Sequence, residues 1–485
     1  MSDELPQGWA TAPLKEIAEI NPRHPKRLDD SMPISFARMT ALSESKPDFQ
    51  SLEERTLGEV RKGFTHFAEG DVLFAKITPC MENGKGAVAR GLRNKLGCGT
   101  TELHVVRPLA DISPEYIYRF LAQDRVRRAA KENFTGTAGQ ARVPTSFIEE
   151  LELPLAPLPE QQRIVAKLET LLGKVDASRQ RLAKIPVLLK RFRQSVLAAA
   201  CSGRLTADWR EENSTIETAE VLLARIKEKR LASAKTQKEK TQIEEVFDER
   251  NLRDDEGDVG LDDIPDTWLS CRIGAIGAVC NGSTPSRKQP EFWDGTISWV
   301  SSGEVRNNLI SETRERITKA GYEGSSVRLL PRGSVLIAMI GEGKTRGQTA
   351  ILNIQATINQ NIAAVVLDHG LVASAYLWRW FQLQYEATRE RGGGSGPQAL
   401  NCQRVRELPF VLPPLPEQQE IVQRVEGLFA LADQLEVRLA KARGQVDKLT
   451  PSLLARAFAG QLVPQDPTDE PAEKLLERLR QKSGK

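Results

Sequence analysis

Histidine is scarce in this chain: only His24, His66, His104 and His369 occur among 485 residues. The six cysteines (Cys80, Cys98, Cys201, Cys271, Cys280 and Cys402) include no C-x-x-C pair. No histidine completes a zinc spacing with them, so reduced, structural thiols and no bound metal are expected. No apolar run reaches the 18 residues that a spanning helix needs, which removes the membrane as a partner. The opening "MSDELPQGWA" lacks the basic and apolar regions of a secretory signal, which gives a cytoplasmic expectation. Catalytic signatures are missing too: there is no G-x-G-x-x-G, no [DN]-P-P-[YF] tetrad and no H-E-x-x-H, and no nuclease P-D…E-x-K set stands out. No histidine and no carboxylate pair recurs as a duplicated acid–base site. These absences favour a binding or scaffolding chain over an enzyme.

The composition that remains is that of a soluble globular protein, 40% hydrophobic and 27% charged. A net charge of +3 is the small remainder of 68 Lys+Arg against 65 Asp+Glu, and such a total can hide a local basic face. The decisive feature is a repeat. "PLPEQQRIVAKLETL" begins at Pro157 and "PLPEQQEIVQRVEGL" at Pro414, and the correspondence continues from Arg181-Leu182-Ala183-Lys184 to Arg438-Leu439-Ala440-Lys441 and from Gly203 to Gly460. "TAEVLLARIKEK" from Thr218 is echoed by "PAEKLLERLRQK" from Pro471. Before each block lies a looser pair: "EGDVLFAKI" at Glu69 answers "RGSVLIAMI" at Arg332, and "YIYRFL" at Tyr116 answers "YLWRWF" at Tyr376. The order is variable unit, helical block, variable unit, helical block. The boundaries read as 1–155, a helical region 156–235, a charged connector 236–262, a second variable unit 263–412, and a final helical region 413–485.

Each helical block carries apolar residues at steps of three and four: Ile164, Leu168, Leu171, Val175 and Leu182 in one, and Ile421, Val425, Leu428, Ala432, Leu435 and Leu439 in the other. So narrow a stripe wants a partner helix, and the match between copies points to pairing of block with block. The ordinary alternative is that each helix is buried in its own domain. Pro159 and Pro416 suit a helix start, with Glu160 and Glu417 at its positive end. From Glu160 to Ile185 such a helix runs roughly 39 Å at 1.5 Å per residue, about one turn of B-DNA.

The variable units mix short β-rich runs with one helix each and read as α+β. Polar, glycine-bearing loops fall at matching places: Thr78 to Ala89 and Phe134 to Val143 in the first, Gly341 to Leu352 and Gly392 to Asn401 in the second. They carry or adjoin Lys76, Asn83, Lys85, Gln140 and Arg142, and Lys344, Arg346, Gln348, Gln398 and Asn401. Arg and Lys can donate to guanine edges, and Asn and Gln can pair with adenine. One loop, "AMIGEGKTRG" from Ala338, departs from the phosphate-loop pattern by a single residue, which keeps a P-loop NTPase in view. However, the β-branched run after Thr345 reads as a strand where a phosphate loop needs a helix. A coiled-coil adaptor without a DNA role is a third reading.

Layout and wording resemble the specificity (S) subunits of type I restriction-modification enzymes. The resemblance rests on "PLPEQQRIVAKLETLLGKVD", "IPVLLKRFRQSVLAAACSGRLTADWR" and "PLPEQQEIVQRVEGLFALAD", the middle stretch looking most like the enteric type IA subfamily. It implies two target recognition domains, each reading one half of an asymmetric, split double-stranded DNA site, and a non-catalytic chain that binds no cofactor. It further implies that the two helical blocks form an antiparallel coiled-coil spacer that sets the unread gap and that they dock two modification (M) subunits carrying S-adenosylmethionine. Restriction (R) subunits, with ATP and magnesium, would join through the resulting M2S core.

Overall fold

The structure is a computed structural model. It describes residues 5–44, 46–109, 111–136, 141–248, 264–341, 344–368, 370–390 and 400–482. Contacts divide the chain into two units, and the division does not follow the two sequence halves. The first unit joins residues 1–184 to 439–485, and the second is residues 185–438. Two long helices, Leu158–Cys201 and Leu415–Ala457, each give one stretch to either unit.

In the first unit, strand Ala10–Pro13 pairs antiparallel with Glu152–Leu155, closing the domain where the first long helix begins. A four-stranded sheet follows in the order Ala18–Ile20, Leu103–Pro108, Val72–Ala75, Gly86–Val88. A second has the order Glu53–Thr56, Pro33–Ala37, Leu96–Gly99, Thr65–Ala68. The helix Pro114–Leu121 starts at Ser113, whose hydroxyl accepts from the Tyr116 N–H, and proline sits in its first turn. The second unit repeats the plan. Leu269–Arg272 pairs with Pro409–Leu412, beside a five-stranded sheet and a three-stranded one. Helix Ser374–Leu383 stands where Pro114–Leu121 stood. The buried tyrosines correspond: the Tyr116 hydroxyl donates to the Pro154 carbonyl at 2.7 Å and that of Tyr376 to Val411 at 3.0 Å. Both units are α+β.

The long helices run antiparallel within each unit. In the first, Arg179 meets Asp447 at 3.4 Å while Arg443 donates to the Leu182 carbonyl at 3.0 Å. In the second, Arg193 bridges Asp433 at 2.7 Å and Glu436 at 3.1 Å. Each helix is followed by a left-handed glycine, Gly203 or Gly460, that closes against a proline of its own unit. A Cβ at Gly203 would come within 2.5 Å of Pro265 Cγ, and one at Gly460 within 2.2 Å of Pro6 Cγ.

The apolar stripes have two destinations. Ile164 and Leu168 are buried in the first unit's core beside Tyr116, with Leu454, Phe458 and Leu476 from the C-terminal region. Ile421 and Val425 are buried in the second unit's core with Tyr376, Leu197 and Leu222. Val175, Ala432 and Leu439 are also buried, Leu171, Leu182 and Leu428 are half-buried, and Leu435 is 40% exposed. So the early part of each stripe serves a globular core and only the remainder lines the helix pair. The connector begins with an ordered helix, Gln237–Val246, and residues 249–263 lie outside the described residues.

Candidate nucleic-acid interface

The repeated Pro-Glu-Gln-Gln motif anchors each domain to its helix. The Trp9 indole donates to Glu160 at 3.0 Å, and the Trp268 indole donates to Glu417 at 2.7 Å. Gln161 accepts from the Ser113 N–H and donates to the Ala156 carbonyl; Gln418 does the same with Ala373 and Pro413. Burial of these side chains satisfies backbone groups that water cannot reach. The copies differ in one respect. Glu417 also takes Thr206 Oγ1 at 2.7 Å and the Arg210 guanidinium at 2.9 Å. Glu160 has Oε1 buried without a partner, and burial raises its pKa.

In the first unit the two glycine-bearing loops are stitched together. The Val143 N–H donates to the Lys76 carbonyl at 2.9 Å, and the Thr78 N–H donates to that of Ala141 at 3.2 Å. Arg142 and Thr135 exchange backbone bonds at the base of the hairpin. Lys76 is half-buried, and its charge helps hold Glu102 below the usual carboxylate range, after the larger effect of the Arg142 hydrogen bond. Arg142 grips Glu102 bidentately at 2.7 and 2.9 Å. Asn83 is exposed, with its amide 3.3 Å from Glu44, and Lys85 reaches the Met39 carbonyl at 3.5 Å. Gln140 lies outside the described residues.

The second unit uses the same joint. The Leu400 N–H donates to the Met339 carbonyl at 3.0 Å. Strand Val335–Ala338 pairs antiparallel with Thr349–Leu352, and the Gly347 N–H returns to the Ala338 carbonyl. The near phosphate loop is therefore a β-hairpin connection, with no helix after Thr345 to receive a phosphate. Lys344 is exposed, and its carbonyl accepts the Tyr385 hydroxyl at 2.6 Å. Arg346 is only 9% exposed, and it and Arg389 donate to one another's carbonyls at 3.3 and 3.0 Å. That residue braces the loop, a role the sequence did not suggest. Gln348 is half-buried beside the hairpin. Asn401 caps helix Cys402–Glu407 by accepting from the Arg404 N–H at 2.8 Å. Gln398 lies outside the described residues. Trp299 is buried, and Trp293 is half-buried under Arg287, whose guanidinium lies 3.7 Å from the Trp293 ring and is ion-paired with Glu315.

Sequence reasoning missed an open cleft in the first unit, of about 340 Å³, lined by Asn21, Arg23, Phe64, Thr65, Lys76 and Thr101 among others. Its residues come from four separate stretches of sequence, so no local motif could announce it. Beneath it His24, His66 and Cys98 are buried together, the two imidazoles stacked at 4.6 Å. Their ring nitrogens are largely taken: His24 Nε2 by the Gly97 carbonyl, His66 Nδ1 by the His24 N–H, and His66 Nε2 by the Arg61 carbonyl. Burial lowers the pKa of both histidines and pushes the Cys98 thiol up to about 12. These are neutral core groups. All six cysteines are free thiols. Among the described residues no helix is long and apolar enough to cross a membrane.

A family model described as the type I restriction modification DNA specificity domain matches residues 6–187 and again 265–441. The specificity subunit of the type I restriction enzyme EcoEI from Escherichia coli is 28% identical over 91% of this chain and 81% of its own length. That of StySPI from Salmonella potsdam is 29% identical over 98% of this chain and 96% of its own. In fold, the crystal structure of the HsdS subunit from Thermoanaerobacter tengcongensis superimposes with a TM-score of 0.62 at 19% identity, covering 94% of this chain and 98% of that one.

Proposed function

Because the chain belongs to the type I restriction-modification DNA specificity family, as a non-catalytic specificity subunit, we propose that each of its two units reads one half of an asymmetric, bipartite double-stranded DNA site. The observation that carries this reading is the duplication itself. Two α+β domains of one plan present loop pairs joined by the same backbone bond, Val143 to Lys76 and Leu400 to Met339, yet the loops carry different side chains. Equal scaffolds with unequal reading groups suit a site whose halves differ. Asn83 and Lys344, both exposed, are the candidate contacts most open to DNA, with half-buried Lys85 beside Asn83, whereas Arg142, Arg346 and Asn401 position the loops that carry them.

The chain docks two modification subunits, and restriction subunits join through them; S-adenosylmethionine, ATP and magnesium reside on those partners. Support for a docking surface comes from the second unit's stretches of long helix, where Val187, Leu188 and Val437 are exposed, Val437 at 72%. Large apolar side chains in that position favour a protein partner. Val437→Glu should weaken binding of modification subunits at least tenfold in a titration followed by analytical ultracentrifugation, with unchanged thermal stability; unchanged association would remove this surface.

The reading is tested by assembling the chain with its modification subunits and sequencing methylated DNA. A methylated adenine in each half of a gapped site is the expected result.

A further inference from the structure

The cleft of the first unit has no counterpart role in the loop pairs, and its charge is unusual. Most arginines of this domain are neutralised by carboxylates: Arg38 by Glu53, Arg61 by Asp30, Arg107 by Asp71 and Arg142 by Glu102. Around the cleft the pattern reverses. Of the two cations that line it, Arg23 is exposed and Lys76 half-buried, and neither has an ion pair among the described residues, although the Lys76 charge also acts on nearby Glu102. A polyanion gains most where cations have no competing partner.

The turn that presents Arg23 is held from several sides. Asn21 adopts a left-handed conformation, φ 54°, and its N–H donates to the Val105 carbonyl at 2.8 Å. Its Oδ1 accepts from the Val105 N–H at 3.0 Å, and its amide reaches His104 Nδ1 at 3.3 Å. His104 Nε2 in turn donates to the Val143 carbonyl at 2.8 Å. The Val143 N–H donates to the Lys76 carbonyl, while the Lys76 N–H donates to the Glu102 carbonyl. One chain of bonds thus fixes the backbone on both sides of the cleft and leaves the Arg23 and Lys76 side chains as its adjustable groups. That is the arrangement recognition needs: a planar donor on a rigid mount. The second unit cannot copy it, because Met339, buried, stands at the position equivalent to Lys76.

We propose that Arg23 is a specificity-determining residue of the first unit, donating in bidentate fashion to a guanine edge of one half-site, with Lys76 on an adjacent phosphate and Asn21 as the positioning residue. The proposal rests on the DNA-reading function above. Arg23 is exposed, so its substitution leaves the fold intact.

The test uses the full chain assembled with its modification subunits, comparing wild type, Arg23→Ala, Arg23→Lys and Lys76→Ala by sequencing methylated DNA and by equilibrium binding at several salt concentrations. Arg23→Ala is expected to lose discrimination at one guanine of one half-site by roughly five- to a hundredfold, with the other half-site unaltered. Arg23→Lys should recover only part of that discrimination. Lys76→Ala should weaken binding to all sites alike and lower the salt slope by about 0.9. An unchanged consensus with Arg23→Ala, uniform loss at every site, or relaxation in both half-sites would overturn the assignment, as would a wild-type half-site without guanine. A wild-type complex that yields no gapped consensus sinks the DNA-reading function itself, which separates the two failures.

Discussion

Glu160 and Glu417 occupy the same place in the repeat and face different surroundings, which makes them a matched pair for experiment. Glu417 is buried against Arg210, Thr206 and Trp268. Glu417→Gln leaves the guanidinium without its charge partner and should cost about 1–3 kcal/mol, read as a lower melting temperature of the second unit. Glu160 lacks such a cation, and its raised pKa means that the folded state holds a proton more tightly than the unfolded chain. Its contribution is therefore greatest below the ordinary carboxylate pKa and declines as pH rises through the folded value. Glu160→Gln should abolish that decline at little cost, and calorimetry across pH 4–8 checks it; an equal loss for both variants would contradict the asymmetry. The first unit's histidines act in the opposite sense. Burial lowers the pKa of His24, His66 and His104, so the unfolded chain binds protons first as pH falls below about 6.5. Segment-resolved hydrogen exchange should show the first unit losing protection on acidification over that window. At this scale the sequence was legible in part. Glu160 and Glu417 could be read as the starts of helices, and the glycine-bearing loops as loops. Whether an arginine there is free to meet a ligand depends on distant partners: Arg346 is held by Arg389, 43 residues on, and Arg142 is ion-paired with Glu102. Arg23 escaped notice because it lies outside those loops.

At the scale of elements, steps of four and three through Ile164, Leu168 and Leu171 and through Ile421, Val425 and Leu428 announced two helices, and both are present. The same periodicity cannot name the surface that the stripe covers. The structure sends its first turns into globular cores because the Trp–Glu and Gln contacts lay each helix start against its own domain. Leu168→Ala should thus destabilise the first unit by about 2–5 kcal/mol, whereas Leu435→Ala, at 40% exposure, should cost well under 1 kcal/mol; denaturant melts of the two variants decide. The terminal helix Ala472–Lys482 was legible as an echo of Thr218 onward. Its destination was not, since Leu475, Leu476 and Leu479 pack into the core that also holds Trp9, Leu14 and Tyr116, more than 350 residues earlier. Deleting residues 471–485 should expose that core and raise hydrogen exchange in helix Pro114–Leu121, with the second unit's Ser374–Leu383 unaffected. Unchanged exchange in the first helix would show that the tail is dispensable.

For the whole molecule, the duplication carried the reading from the start, and the two family matches fall on the two copies. What the sequence concealed is that a repeat in sequence need not be a unit in space. Each unit closes its core with a segment from beyond its own half: residues 439–485 complete the first, and residues 185–235 lie with the second. Local patterns record which faces are apolar, while the pairing of distant segments follows from the assembled backbone. A net charge of +3 concealed the basic cleft for a related reason, because charge totals carry no positions. The central claim is that two differing modules read two halves of one DNA site. Sequencing of methylated adenines in DNA modified by the assembled chain and its modification subunits tests this most directly. Two specified half-sites flanking an unspecified gap, with Arg23→Ala relaxing only one of them, is the predicted result. A continuous site without a gap, or a methylation pattern indifferent to this chain, would contradict it.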